Sequence, residues 1–127
     1  MQNGRIKNHQ ISASSTHDKD HAPWFARLHR KRIGGRRGGW SARHNTRYQW
    51  LQVDFRRSTR IVEILTQGRQ DYRQWVTQYY ITYSQDNVHW AEYKINSRRK
   101  VNTNKTKFPC FSINQSINQS NNQTINQ

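Results

Sequence analysis

Residues 49–55, QWLQVDF, decide the architecture: Leu51, Val53 and Phe55 fall on alternate positions, with Gln52 and Asp54 between them. Successive side chains of a strand point to opposite faces, so this alternation marks a strand with one buried and one wet face. Outward from it the same period of two runs from Gln10 to Tyr93, and no helical stripe interrupts it. Ile61, Val62, Ile64 and Leu65 are apolar on both faces and predict a central strand buried on both sides. Trp75, Tyr79, Ile81 and Tyr83 again alternate with polar residues. Ser84-Gln-Asp-Asn-Val88 predicts a turn, because Asp and Asn tolerate positive φ, and Val88, Trp90 and Tyr93 then resume the apolar pattern. Several short strands at this spacing predict an all-β sandwich or barrel.

The chain has 127 residues, enough for one domain, and is lean in apolar side chains at 31% with a mean hydropathy of −1.23. Five Trp, six Tyr and four Phe are therefore expected to carry the core, since each aromatic buries roughly 150–250 Å². No apolar run approaches the ~20 residues that span a bilayer, and the opening MQNGRIKNHQ lacks the apolar region of a secretory leader. The single cysteine, Cys110, has no internal disulfide partner.

Charge narrows the partners. A net charge of +15 and a pI near 11 favour polyanions: nucleic acid, anionic lipid headgroups or sulfated glycans. No Asp or Glu lies between Asp20 and Asp54, a stretch that holds Arg27, Arg30, Lys31, Arg32, Arg36, Arg37, Arg43 and Arg47. Arg suits bidentate contact with phosphate, sulfate or carboxylate. No paired carboxylates, nucleophile elbow or cysteine–histidine arrangement points to an enzyme, and no cofactor motif is present. His17, Asp18, Asp20 and His21 have metal-ligand chemistry, but their spacing matches no standard zinc pattern, so no metal is expected.

Three segments between the strands read as long loops: SSTHDKDHAP (Ser14 to Pro23), HRKRIGGRRGG (His29 to Gly39) and QGRQDYRQ (Gln67 to Gln74). Loops on a rigid β scaffold commonly carry binding residues. The tail INQSINQSNNQTINQ (Ile113 to Gln127) is a polar near-repeat expected to be disordered. It contains the glycosylation triplets at Asn114, Asn118 and Asn122, with another at Asn104 just before it.

Four runs resemble the discoidin family, the coagulation factor V/VIII type C domains, in order and spacing over roughly residues 1 to 95. They are GRIKNHQISASS (Gly4 to Ser15), HAPWFARL (His21 to Leu28), GGWSARHNTRYQWLQVDF (Gly38 to Phe55) and TQGRQDYRQWVTQYYITYSQDNVHWAEYK (Thr66 to Lys94). The resemblance implies a jelly-roll-like β-sandwich, a distorted barrel, with spike loops at one end. It also implies a non-catalytic extracellular or cell-surface adhesion module. Its partners would be a cell-surface or matrix glycan, possibly sulfated, an anionic phospholipid or an extracellular protein. A nucleic-acid-binding basic protein is the alternative; the single short Arg-Gly island inside a β-patterned region speaks against it.

The chain departs from the family pattern after Lys94 and lacks the cysteines that usually bracket the domain. The expectation is an incomplete discoidin domain over residues 1–98, its final strands missing, and a low-complexity disordered tail over 99–127. The spike loops nominate ligand-binding residues Asp18, Lys19, Asp20 and His21 in the first loop, Arg32, Arg36 and Arg37 in the second, and Arg69, Asp71, Tyr72 and Arg73 in the third. Asn45 matches a position that touches ligand in some relatives. Trp24, Trp40, Trp50, Asp54, Trp75 and Trp90 are expected to be structural, the tryptophans packing in the core.

Overall fold

Leu51 and Val53 are among the most deeply buried side chains, each 1% exposed, while Trp50 and Gln52, which alternate with them, are half-buried. The alternation of QWLQVDF is thus the alternation of the folded strand. The structure is a computed structural model describing residues 1, 4–103, 112–115 and 122–126. In chain order its strands are β1 (Ile11–Ala13), β2 (Trp50–Val53), β3 (Ile61–Leu65), β4 (Gln78–Ser84), β5 (Ala91–Glu92), β6 (Lys94–Ile95), β7 (Arg98–Arg99), β8 (Asn102–Thr103), β9 (Ser112–Gln115) and β10 (Asn122–Asn126). Three single turns of 3-10 helix, at Asn8–Gln10, Lys19–His21 and Pro23–Phe25, complete the regular structure among the described residues. None of it is a helix long and apolar enough to cross a membrane.

The main sheet runs β1-β2-β10-β4-β5, with β8 also on β4, and every pairing is antiparallel. A separate antiparallel pair, β3–β9, lies across the core from it, because Ile61 and Ile64 pack against the cluster that Leu51, Val53, Tyr79 and Ile81 contribute from the main sheet. Met1, Ile6, Ile11, Ala26 and Phe55 complete that cluster. This is an all-β jelly-roll sandwich. Each large apolar side chain it buries stabilises the fold by roughly 1.5–3 kcal/mol relative to exposure.

β3 departs from expectation. It is covered on one face only: Val62, Glu63 and Leu65 are exposed. Ile61 and Ile64, three apart, would lie on opposite faces of a regular strand. A register shift between Ile61 and Glu63 brings both to the core side.

The tryptophans depart from it too. Trp24, Trp75 and Trp90 are 38%, 42% and 39% exposed, Trp40 only flanks the core, and Trp50 sits on the half-buried face of β2. Trp24 lies in a 3-10 turn, and Trp75 and Trp90 lie outside the strands. The core consists mainly of aliphatic residues with Phe55 and Tyr79.

The tail expected to be disordered contributes β9 and β10, the latter pairing with both β2 and β4. Backbone donors and acceptors exist in every residue except proline, so a polar segment can fill such a slot without an apolar pattern. Asn114 and Asn122 lie in these strands. Asn104, Cys110 and Asn118 lie outside the described residues.

Turn chemistry fixes two connections. Asn87 has φ 62°, and the Asp86 carboxylate accepts from the Val88 and His89 amides at 2.9 and 2.8 Å. Asp54 holds the exit from β2: it accepts from the Arg56 amide at 2.7 Å, where φ is 59°, and pairs with the Arg56 guanidinium.

Candidate functional site

The three long loops are hydrogen-bonded to one another, the first to the second through their backbones and the third to the second through side chains. His17 donates its amide to the Ser41 carbonyl at 2.8 Å, and Arg37 donates to the Asp20 carbonyl at 3.0 Å. The Trp40 indole N–H reaches the Ser15 carbonyl at 3.0 Å. The Gln67 and Gln70 side chains accept from the His29 and Arg32 amides. Gly38 and Gly39 permit this approach, since a Cβ on Gly38 would stand 3.2 Å from an Asp71 oxygen and 3.3 Å from the Arg30 carbonyl, and one on Gly39 would stand 3.1 Å from Arg69.

Within the third loop, Asp71 is the anchor. Its carboxylate, 6% exposed, accepts from Arg69 Nε and Nη2 at 3.2 and 3.1 Å and from the Gly38 amide at 3.2 Å. Arg37 stands 3.9 Å away. Burial raises the carboxyl pKa, but the Arg69 contact and charge and the Gly38 N–H outweigh it and hold the group below its ordinary value. Arg69 also donates to Gln74 Oε1 at 2.6 Å and lies over the Tyr72 ring at 5.5 Å.

In the first loop, Asp18 caps the Lys19–His21 turn. It accepts from the Asp20 amide at 2.8 Å and bonds His21 Nδ1 at 2.6 Å, and the His21 contact lowers its pKa. His21 is buried, with the His17 ring edge-on at 5.1 Å. The second loop tightens into a hairpin in which Ile33 and Arg36 exchange backbone bonds around Gly34, at φ 59°. Arg32 and Arg36 project from it, exposed.

A cleft of about 600 Å³ opens between the segment Gly39 to Arg47 and the segment Gln67 to Gln78. Arg43, His44, Asn45, Arg47, Trp40 and Trp75 line it together with Arg69, and no acidic residue does. A smaller recess of about 310 Å³ shares His17, Ser41, Arg69 and Gln74 with it and reaches His21, Arg37 and Tyr72. A third groove, about 620 Å³, includes Lys19, Asp20, Trp24 and Arg36.

Of the residues nominated by sequence, the structure brings Asn45 and Arg69 to the cleft, His21, Arg37 and Tyr72 to the recess, and Lys19, Asp20 and Arg36 to the third groove. Asp18, Arg32, Asp71 and Arg73 line none of these three; Asp18 and Asp71 are committed to internal bonds. Sequence reasoning missed Arg43, His44, Arg47 and Trp75 as lining residues. Their signal was the acid-free stretch itself, which continues past the glycines to Arg47.

The fold has known counterparts. Discoidin II from Dictyostelium discoideum superposes with a TM-score of 0.76 over 91% of the chain and 47% of its own, at 22% identity, which establishes the shared fold. The EGF-like repeat and discoidin I-like domain-containing protein 3 of Homo sapiens is 38% identical over 105 residues, 79% of the chain and 22% of that protein. Coagulation factor V of Pseudonaja textilis is 36% identical over 95 residues, 73% of the chain and 6% of that protein. Lactadherin of Sus scrofa is 34% identical over 102 residues, 74% of the chain and 24% of that protein. The chain therefore spans less than a quarter of the length of these curated relatives. The F5/8 type C domain matches residues 10–120, a span that holds both the strand QWLQVDF and all three loops. By that match and by its fold, the chain belongs to the F5/8 type C domain family.

Proposed function

We propose that the chain is a non-catalytic, extracellular adhesion or ligand-binding module whose loops grip an anionic group, sulfate or phosphate, on a glycan or a phospholipid. The observation that carries this reading is the acid-free cleft. Arg43 and Arg47 are exposed on its wall, and no ion pair among the described residues engages either of them. A guanidinium without an internal counterion is available to a bound anion, whereas Arg69, locked to Asp71, is a positioning residue. Trp75 and Asn45 add a flat apolar face and a neutral polar group, the combination suited to a sugar ring. The loop–loop hydrogen bonds reduce the ordering cost of binding. Arg32 and Arg36, at the tip of the second loop, are a further pair of exposed cations on the same loop cluster.

The test is binding of a heparin tetrasaccharide and of phosphatidylserine vesicles to the chain, to Arg43→Ala/Arg47→Ala and to Arg36→Ala/Arg37→Ala, at low and high salt. Weakening of about tenfold in the first variant, fading as the Debye length falls from roughly 10 Å at 0.1 M to about 3 Å at 1 M, supports the cleft. The two probes separate sulfate from phosphate sources. Unchanged binding in a folded Arg43/Arg47 variant, with loss in the Arg36/Arg37 variant, moves the site to the loop tip. Absence of binding to both probes by the unmodified chain overturns the reading.

A further inference from the structure

We infer that the anion-binding surface continues from the cleft across the β6–β7 hairpin, so that the preferred ligand is an extended polyanion, a sulfated glycan chain, more than a single charged group. This rests on the reading of the cleft as an anion site.

The hairpin is built by a two-residue turn, Asn96-Ser97, at φ 49° and 61°, the doubly left-handed geometry whose twist matches paired strands. It places Lys94 opposite Arg99 and Ile95 opposite Arg98, with Lys100 next in line. Arg99 is tied down: it pairs with Glu92 and lies over the Tyr80 ring at 4.6 Å. That contact fastens the hairpin to β4. Lys94, Arg98 and Lys100 are exposed, and none of the ion pairs among the described residues engages them. The only nearby acid on this segment, Glu92, is occupied by Arg99.

Position decides whether these three cations act with the cleft. Gln78 lines the cleft, and Tyr80 is two residues along the same strand, about 7 Å away. From Lys100, whose amide donates to the Tyr93 carbonyl, the chain passes directly into β8, which pairs Asn102 with Tyr79 and Thr103 with Gln78. The hairpin thus leaves the edge of β4 beside Tyr80 and Ile81, two to three residues from the cleft-lining Gln78. Tyr80, whose ring lies under Arg99 of the hairpin, is thus within about one Debye length at 0.1 M of the cleft-lining Gln78, so the root of the hairpin lies beside the cleft wall. An isolated headgroup meets one cluster; a sulfated chain, with charges repeated along its length, meets both.

The experiment compares a heparin tetrasaccharide with a dodecasaccharide on the whole chain and on Arg98→Ala/Lys100→Ala, with Arg98→Gln/Lys100→Gln as the conservative pair should the alanine variant fold poorly. The expected result is binding of the dodecasaccharide about five- to tenfold tighter than the tetrasaccharide, a steeper salt dependence, and loss of most of that gain in the variants while tetrasaccharide binding is unchanged. Tetrasaccharide binding with no gain for the dodecasaccharide, or a gain that survives both substitutions, overturns the extended surface and leaves the cleft standing. Failure of both oligosaccharides and of phosphatidylserine vesicles removes the cleft reading and this one with it. A double-stranded DNA of matched charge that binds as tightly as the dodecasaccharide, with the same dependence on Arg98 and Lys100, overturns the assignment to a glycan in favour of nucleic acid.

Discussion

The guanidinium of Arg69 and the carboxylate of Asp71 face each other through two bonds, at 3.2 and 3.1 Å, with only 12% and 6% of their side chains exposed. The pair joins the third loop to the glycines that end the second, through the Gly38 amide. Asp71→Ala leaves a nearly buried guanidinium without its counterion, and the expected loss of stability is about 2–4 kcal/mol. Urea unfolding of the variant measures it; a shift below about 0.5 kcal/mol would show that the pair is solvent-screened. Because the folded state holds the Asp71 pKa below its ordinary 3.8, this contribution is complete above that pH and fades as the pH falls through the lower, folded value.

The Asp86–His89 turn should show a two-sided pH dependence. His89 Nδ1 stands 2.6 Å from Asp86, which raises the His89 pKa above 6.5 and, with the two turn amides, holds Asp86 well below 3.8. A raised histidine favours the folded turn below pH 6.5, and that preference disappears as the pH rises through the higher folded value. The depressed aspartate favours it above 3.8, and that preference is lost on acidification. The turn is therefore firmest between about pH 4 and 6.5. Amide hydrogen exchange of Val88 and His89 across this range is the measurement, and His89→Asn should abolish the alkaline limb alone.

β10 can be tested through its backbone. Thr124 lies at the middle of the strand, opposite Gln52 of β2 and Thr82 of β4. Thr124→Pro removes an amide donor from the centre of the sheet, where proline is not accommodated, and should cost about 1–3 kcal/mol. Thr124→Val keeps the backbone amide and is the control for the side-chain change. Equal thermal stability of the proline and valine variants would show that the sheet does not depend on this strand.

These strands explain what was legible beforehand. Leu51, Val53 and Phe55 could be read because a strand with one buried face writes its period into side-chain polarity. The Asp86-Asn87 turn could be read because few residues accept positive φ. β10 could not, since its sequence carries no apolar period and strand pairing is made by backbone groups that every residue except proline supplies. Ile61 and Ile64 misled because a register shift moves two residues onto one face without altering composition. The loops were visible as loops, but Asp71 as an anchor was not: only the fold reveals that Gly38, 33 residues earlier, supplies its amide.

Trp75 gives the most direct separation of packing from binding, because a core tryptophan and a ligand-facing one respond oppositely to removal. It is 42% exposed and lines the cleft beside Asn45 and Arg43. Trp90, 39% exposed, lines none of the three cavities described above and serves as the control. Trp75→Ala should weaken heparin tetrasaccharide binding by roughly fivefold, the equivalent of about 1 kcal/mol of lost stacking, while Trp90→Ala leaves it unchanged. Thermal stability should fall by less than about 1 kcal/mol in both, well short of the roughly 3–5 kcal/mol that truncating a fully buried tryptophan costs. A Trp75→Ala variant that loses several kcal/mol of stability and binds normally once folded would return Trp75 to the core and leave Arg43 and Arg47 to hold the ligand without it.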